Sequence, residues 1–362
     1  MVRAMTEGGR PLGVAIVGLD HWYLGLAAAR LVSGRPDARL VVVAHHDAAR
    51  AELVAGEYRA ERWTTDYEGA VRAGDVDVVA TACRVSENPA ICVAAAEAGK
   101  HIVSTKPLAL DVAGAEAIAG AVRRAGVRFL SGEMSMRLSP AAQRLGEWIA
   151  AGRIGELVSV LIVQRAPLPT QPWPGESGPT WWTDPRYVAA GGWLDHAIYH
   201  LDHLRALLGE PERVSGELAT LVHQEVPLED FGVATYRFRS GAVATLEVTW
   251  TGSYAAPVNM RHFVGTAGQV IDDQTLMQRM SLTTPPPGDG AARAGLWAGD
   301  GGWWLGPPSL GDLATLQRPI AVLLDAVRDG VDPPGSAEDA VRSLRAGLAF
   351  YQAAREGRTV SL

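Results

Sequence analysis

The sequence predicts an α/β protein with two unlike sheets. Residues 1–131 form a doubly wound parallel sheet, and residues 132–362 an α+β unit with a large, mostly antiparallel open sheet. Three observations carry this. Up to Ser131, short apolar runs alternate with helical stretches. Beyond Gly209, strand-like runs follow one another without helices between them. Residues 191–209 lie between the two patterns as an amphipathic segment that gathers titratable groups.

In chain order, residues 13–18 (GVAIVG), 39–44 (RLVVVA), 76–82 (VDVVATA), 101–104 and 127–131 read as short buried strands. Helices are expected between them at 23–32, from Asp47, at 88–98 and at 111–125. Such alternation implies parallel strands covered on both faces, with ligands at their C-terminal ends. A helix at 140–151 leads to an alternating strand at 156–165. Later strands are expected at 213–222, 232–239, 242–250, 261–264 and 269–272, with Ser240-Gly241 as a hairpin turn. Helices at 319–329 and 337–355 close the chain. Two loops are long enough to be lids, oligomer contacts or disordered. One, 167–185, is rich in Pro, Gly and Trp. The other, about 283–311, reads as flexible, although Trp297, Trp303 and Trp304 within it are expected to pack on something.

The chain has 362 residues, 48% apolar and 20% charged, enough for two cores of an ordinary soluble protein. A net charge of −7 without a basic stripe argues against nucleic acid. No run has signal-peptide or membrane-spanning length, so the expected setting is cytoplasmic, away from membranes. Cys83 and Cys92 make neither a disulfide framework nor a zinc motif. Among 33 basic residues only Lys100 and Lys106 are lysines. A chain that writes arginine almost everywhere keeps lysine where a compact, tunable ammonium is needed.

In the central segment, Leu194, Ala197, Ile198, Leu201, Leu204 and Leu208 share one helical face. Two polar columns lie opposite: His196, His200, His203 and Asp195, Tyr199, Asp202. A solvated face normally uses Lys, Glu and Arg, so these residues point to a lined pocket. Trp182 and Trp193 are candidate stacking walls for a sugar ring.

The first strand–helix turn reads Gly18-Leu19-Asp20-His21-Trp22-Tyr23. A dinucleotide fingerprint, G-x-G-x-x-G, would need glycine at Asp20 and Tyr23 as well. An acidic residue would close the second strand for the ribose, and His45 stands there. With Thr81 and Ala82 at the third strand's end and Lys106-Pro107 after the fourth, these are the candidate cofactor contacts. Proline holds Lys106 in an extended conformation at the ligand edge.

Further motifs are Asp66-Tyr67 before a helix, Glu97-Ala98-Gly99-Lys100-His101, Lys106-Pro107-Leu108, Arg137-Leu138-Ser139-Pro140, the segment 152–157 and the Gly191 to His200 segment. In this order they resemble the Gfo/Idh/MocA oxidoreductases, relatives of glucose–fructose oxidoreductase and inositol dehydrogenase. The resemblance implies a Rossmann domain, a C-terminal domain whose open sheet makes a homodimer or homotetramer, and NAD or NADP. It also implies hydride transfer at a secondary alcohol or ketone of a sugar, cyclitol or sugar-like substrate. The family's lysine falls on Lys106 and its histidine on His200, with His196 or Asp195 orienting them. A lysine of lowered pKa and a nearby histidine would share the proton. Asp195, Tyr199, Trp182, Trp193 and Arg137 are the expected substrate contacts. Where the family has Glu before Lys-Pro this chain has Thr105, and where it has Asp four residues before the histidine this chain has His196.

Two other readings stand beside this one. His196 and His200, at i and i+4, could hold a divalent metal for lyase or hydrolase chemistry, completed by Asp195, Glu133 or Glu176. A non-catalytic ligand sensor on the same fold is the third reading.

Overall fold

A computed structural model describes residues 10–253, 257–273, 275, 279–283, 302–305 and 313–362. The apolar runs of the first half are buried on both faces and form β1 (Leu12–Val17), β2 (Ala38–Ala44), β3 (Arg62–Thr64), β4 (Val78–Thr81), β5 (His101–Ser104) and β6 (Phe129–Ser131). They pair in parallel in the order β3-β2-β1-β4-β5-β6, which puts the switch point between β1 and β4. The crossovers are α1 (Trp22–Ser33), α2 (Ala48–Glu57), α3 (Tyr67–Arg72), α4 (Asn88–Glu97) and α5 (Val112–Ala125). Asp47, Asp66 and Asp111 cap α2, α3 and α5 by accepting first-turn amides, which fixes where those helices start.

The second half holds α6 (Pro140–Ala150), β7 (Leu157–Arg165), α7 (Gly192–Leu208), β8 (Pro211–Ala219), β9 (Phe231–Phe238) and β10 (Val243–Thr249). Then come β11 (Val258–Gly265), β12 (Gly268–Asp273), β13 (Arg279–Thr283), β14 (Gly302–Leu305), α8 (Leu313–Asp329), α9 (Ala337–Glu356) and β15 (Val360–Ser361). Nine strands order as β14-β13-β12-β11-β7-β10-β9-β8-β15, antiparallel except for the β7–β10 pair. Alternation places Ala234, Tyr236, Phe238, Ala244, Leu246 and Val248 inside, where α7 and α9 pack against the sheet. Residues 302–305, read as part of a flexible loop, are instead a strand paired to β13, with Trp303 opposite Ser281 and Trp304 opposite Met280. Trp297 and most of that loop lie outside the described residues.

Both C-terminal helices cross the strand-based division at Ser131, α9 against α5 and β6. α8 packs against α1, β5 and β6, and buries Ile320, Leu323 and Leu324 there. Among the described residues, no helix is long and apolar enough to cross a membrane.

α7 is the hinge of the architecture. All six apolar residues expected on one face are buried. The Gly191-Gly192 pair permits close approach. A Cβ on Gly191 would sit 2.3 Å from the Glu229 carbonyl oxygen, and one on Gly192 would sit 2.9 Å from the Trp250 indole. The Glu229 carboxylate accepts the Gly191 amide at 3.1 Å and replaces the missing N-cap side chain. Trp193 is no pocket wall. It is fully buried, 4.2 Å from the Phe350 ring between centroids, and its indole N–H donates to the Leu246 carbonyl. Its residue type suggested a stacking surface, but as the first residue after a paired glycine it drops into the core. Trp193→Ala is therefore expected to lower stability by about 3–5 kcal/mol. Denaturant unfolding of the purified variant measures this.

Candidate functional site

Lys106 leaves the end of β5, and Asp195 lies on the first turn of α7. Lys106 Nζ donates to Asp195 Oδ1 at 2.5 Å and to the Asp195 carbonyl at 2.7 Å. Lys106 is 1% exposed, so this ion pair is buried and each charge depends on the other. Asp195 Oδ2 accepts the Trp250 indole N–H at 3.2 Å and lies 3.3 Å from His196 Nε2. One turn further on, the Tyr199 ring lies 5.1 Å from Lys106 Nζ, and Tyr23 lines the same cavity beside it. Lys106, Asp195, His196, Tyr199, Tyr23 and Trp182 all line one cavity of about 300 Å³.

The electrostatics revise the expected role of the lysine. Burial pulls the Lys106 pKa down, but Asp195, Tyr199 and Glu133 outweigh it, and the net shift is upward. The group expected to have a lowered pKa is a persistent cation. Burial raises the Asp195 carboxyl, yet the Lys106 charge and the hydrogen bonds from Lys106 and Trp250 hold it well below the usual range. Burial lowers His196 despite Asp195, leaving a neutral imidazole. Tyr199 is raised by burial, with Lys106 pulling the other way, so the phenol keeps its proton at neutral pH.

His200 does not meet Lys106. It is fully buried, with Nε2 2.6 Å from Gln164 Oε1 on β7, and burial drives its pKa well below the ordinary value. The 3.6-residue period explains the difference: Asp195 and Tyr199 share a face at i and i+4, and His200 is turned by a further 100°. With Asp195 as the aspartate of the family's Asp-x-x-x-His spacing, Tyr199 stands at the histidine position. His196 and His200 share a face at i and i+4, but His196 Nε2 is at Asp195 and His200 Nε2 is at Gln164, and among the described residues they do not assemble a metal set. Glu133 is buried against Ser131, and Glu176 pairs with Arg50. Arg137 also lies off the cavity, with Nε 3.0 Å from Asp202 Oδ2 and without hydrogen-bond alignment.

Gly18, at φ +84°, lets β1 approach β4, since a Cβ there would sit 2.4 Å from Cys83 backbone. The Leu19 amide donates to His45 Nδ1 at 3.2 Å. Asp20 turns to Arg84, whose Nε donates at 3.0 Å. His21 borders a small cleft together with Lys106 and Pro107. It is fully buried, with Nδ1 2.8 Å from Thr105 Oγ1 and its ring 4.5 Å from the Trp181 ring. Thr105, in the place of the family's glutamate, is thus matched to His21. The Thr81 hydroxyl is also used internally, donating to Asn88 at 2.7 Å and accepting the Thr105 amide at 2.8 Å, beside Ala82, whose carbonyl accepts the His21 amide. Trp22 and Tyr23, expected at the cofactor, line the cavity instead, while Pro107 and Trp181 border a smaller neighbouring cleft. The loop joining β7 to α7 lies over this end of the sheet. Trp22 Nε1 donates to the Gln171 carbonyl at 3.0 Å, and Trp181 Nε1 donates to the Asp20 carbonyl at 3.1 Å. Trp250, Gln171 and Arg84 were not singled out from sequence. Only the position of Trp250 at the end of an alternating strand marked it.

This fold and site define a two-domain oxidoreductase. Residues 12–133 match the oxidoreductase family with an NAD-binding Rossmann fold, and residues 142–271 match the GFO/IDH/MocA C-terminal domain. The chain is 30% identical to scyllo-inositol 2-dehydrogenase (NAD(+)) of Bacillus subtilis over 72% of this chain and 71% of that protein. It is 28% identical to 1,5-anhydro-D-fructose reductase of Ensifer adhaerens over 94% of this chain and 95% of that one. The fold superposes on levoglucosan dehydrogenase in complex with NADH and L-sorbose, with TM-score 0.81 and 22% identity, covering 98% of this chain and 99% of that one. The chain belongs to the Gfo/Idh/MocA oxidoreductase family.

The residues present fit a dinucleotide. No side chain caps α1, and with the Leu24 amide on the His21 carbonyl the Trp22 and Tyr23 amides are the first-turn donors left for a pyrophosphate. His45 Nδ1 accepts the Leu19 amide, which leaves Nε2 carrying the proton, buried and without a partner. The Asp20 charge, which would repel phosphate, is countered by Arg84.

Glu133 gives a direct check on this buried electrostatics. Burial pushes its pKa up to about 8. Between its ordinary value of 4.5 and 8 the folded chain keeps a proton that the unfolded chain releases, so stability falls as pH rises through that window. Glu133→Gln removes this contribution. The variant's stability relative to the parent is expected to rise from pH 4.5 to pH 8, measured by denaturant unfolding across that range.

Proposed function

We propose that the chain is an NAD(P)-dependent oxidoreductase acting on a CH–OH group, moving a hydride between nicotinamide and a secondary alcohol or ketone of a sugar, cyclitol or sugar-like substrate. The observation that carries it is the buried Lys106–Asp195 pair opening, beside Tyr199 and His196, onto a cavity walled by Trp22, Trp182 and Trp250. Indole faces pack against the apolar faces of sugar rings, while the polar cluster meets the hydroxyls.

The bound cofactor supplies or accepts the hydride. Lys106, held as an ammonium by Asp195, stabilises negative charge on the reacting oxygen. Tyr199 donates the proton to that oxygen in reduction and receives it in oxidation, and Tyr23 supports the phenol. His196 and Trp250 hold the Asp195 carboxylate in place. The protonated state of Tyr199 suits the reductive direction. The chain's other expected partner is itself. Leu161 and Ile271 lie on the outer face of the nine-stranded sheet, each opposite His262, and we infer a homodimer or homotetramer through that face in a cytoplasmic enzyme.

Turnover of a panel of inositols, anhydrosugars and ketoses with either nicotinamide dinucleotide tests the reading. Tyr199→Phe keeps the ion pair and is expected to lower kcat by about 10²-fold or more. His200→Asn is expected to stay within about threefold of the parent, because the residue does no proton work. The reverse ranking would return the proton to His200. Light scattering of Leu161→Glu against the parent reads the oligomer, and an unchanged mass would remove the sheet face as the interface.

A further inference from the structure

We propose that His46, Arg50 and Arg84 form a pocket for the 2′-phosphate of NADP, so that the chain binds NADP(H) in preference to NAD(H). The inference rests on the cofactor reading above and concerns the same cleft.

The end of β2 normally decides this choice. A carboxylate there accepts from the ribose diol and favours NAD, whereas a nearby arginine receives the phosphate. This chain offers no free carboxylate at that position. His45 and His46 close the strand, and Asp47 is engaged as the α2 cap, accepting the Ala49 and Arg50 amides at 3.0 and 3.2 Å. Arg84 has one nitrogen on Asp20 and another 3.4 Å from His46 Nε2. Arg50 reaches the same strand end, with its Nε 3.6 Å from Asp47 Oδ2, next in the chain to His46. The buried His45 Nε2–H lacks an acceptor.

Arg50 is held by an exchangeable partner. It donates to Glu176 at 2.9 Å, and its guanidinium lies 4.9 Å from the Trp173 ring centroid. The Glu176 side chain is 48% exposed, so this is a solvent-screened pair of small worth. A phosphate dianion, bound bidentately, competes with this exposed carboxylate and with Asp47, which lies 3.6 Å from Arg50 Nε.

Ligand atoms of Asp20, His45 and His46 also lie within 4.8 Å of one another, a spacing that a divalent cation could use. The Arg84 guanidinium, on Asp20 and 3.4 Å from His46 Nε2, already occupies that space with a positive charge and opposes a cation there. His45 Nδ1 is already an acceptor for Leu19, so its other nitrogen presents a proton rather than a lone pair.

The test is calorimetric titration of the full chain with NADPH and with NADH, without substrate. NADPH is expected to bind at least about tenfold more tightly. Arg50→Gln should weaken NADPH by about tenfold and leave NADH within about twofold. Tighter binding of NADH, or equal weakening of both by Arg50→Gln, would overturn the proposal while the oxidoreductase reading stands. Binding of neither dinucleotide would overturn both.

Discussion

The buried contact between Lys106 and Asp195 is the constraint on which the site depends. A lysine that is almost fully enclosed needs a charge partner, because stripping water from an ammonium costs several kcal/mol unless an anion replaces it. That partner comes from a different sheet system, so the contact sets how α7 approaches the end of β5. The glycine pair at 191–192, the Glu229 cap and the inserted Trp193 all fix the first turn of α7, and therefore the position of Asp195. Chemistry and packing here use the same turn of helix.

The ion pair also orders its neighbours. Its carboxylate has two oxygens and three close polar or charged groups, so little freedom is left for His196 or the Trp250 indole. The lysine charge works against the burial of Tyr199, which keeps the phenol from being an inert core tyrosine. The site thus combines a fixed cation, a proton carrier and flat aromatic walls within one helical turn and three loop or strand ends.

Much of the fold was legible because its signals are local. Apolar runs bounded by Asp caps gave the strands and helices of the first sheet within a few residues, and alternation in 232–250 gave the hairpin of the second. The short strands at 62–64, 302–305 and 360–361 were not legible, since two to four residues carry no period. Within the site, Lys106, Asp195, His196, Tyr199 and Trp182 were legible as residue types at a helix face and a strand end. The error over His200 came from a count along one helix, where a single position changes the direction of a side chain by 100°. Arg137 and Trp193 failed for another reason: nothing local distinguishes a buried arginine or tryptophan from one that lines a pocket. Thr105 stands where the family has a glutamate, and only its contact with His21, 84 residues away, shows what it does.

The return of α8 to the first sheet has a consequence for how the chain is made. β5 and β6 are synthesised early, but the helix that covers them with Ile320, Leu323 and Leu324 leaves the ribosome about two hundred residues later. Until then the nascent Rossmann unit carries a bare apolar flank. A fragment cut at the last parallel strand would inherit that flank permanently, and its solubility would say little about the intact molecule.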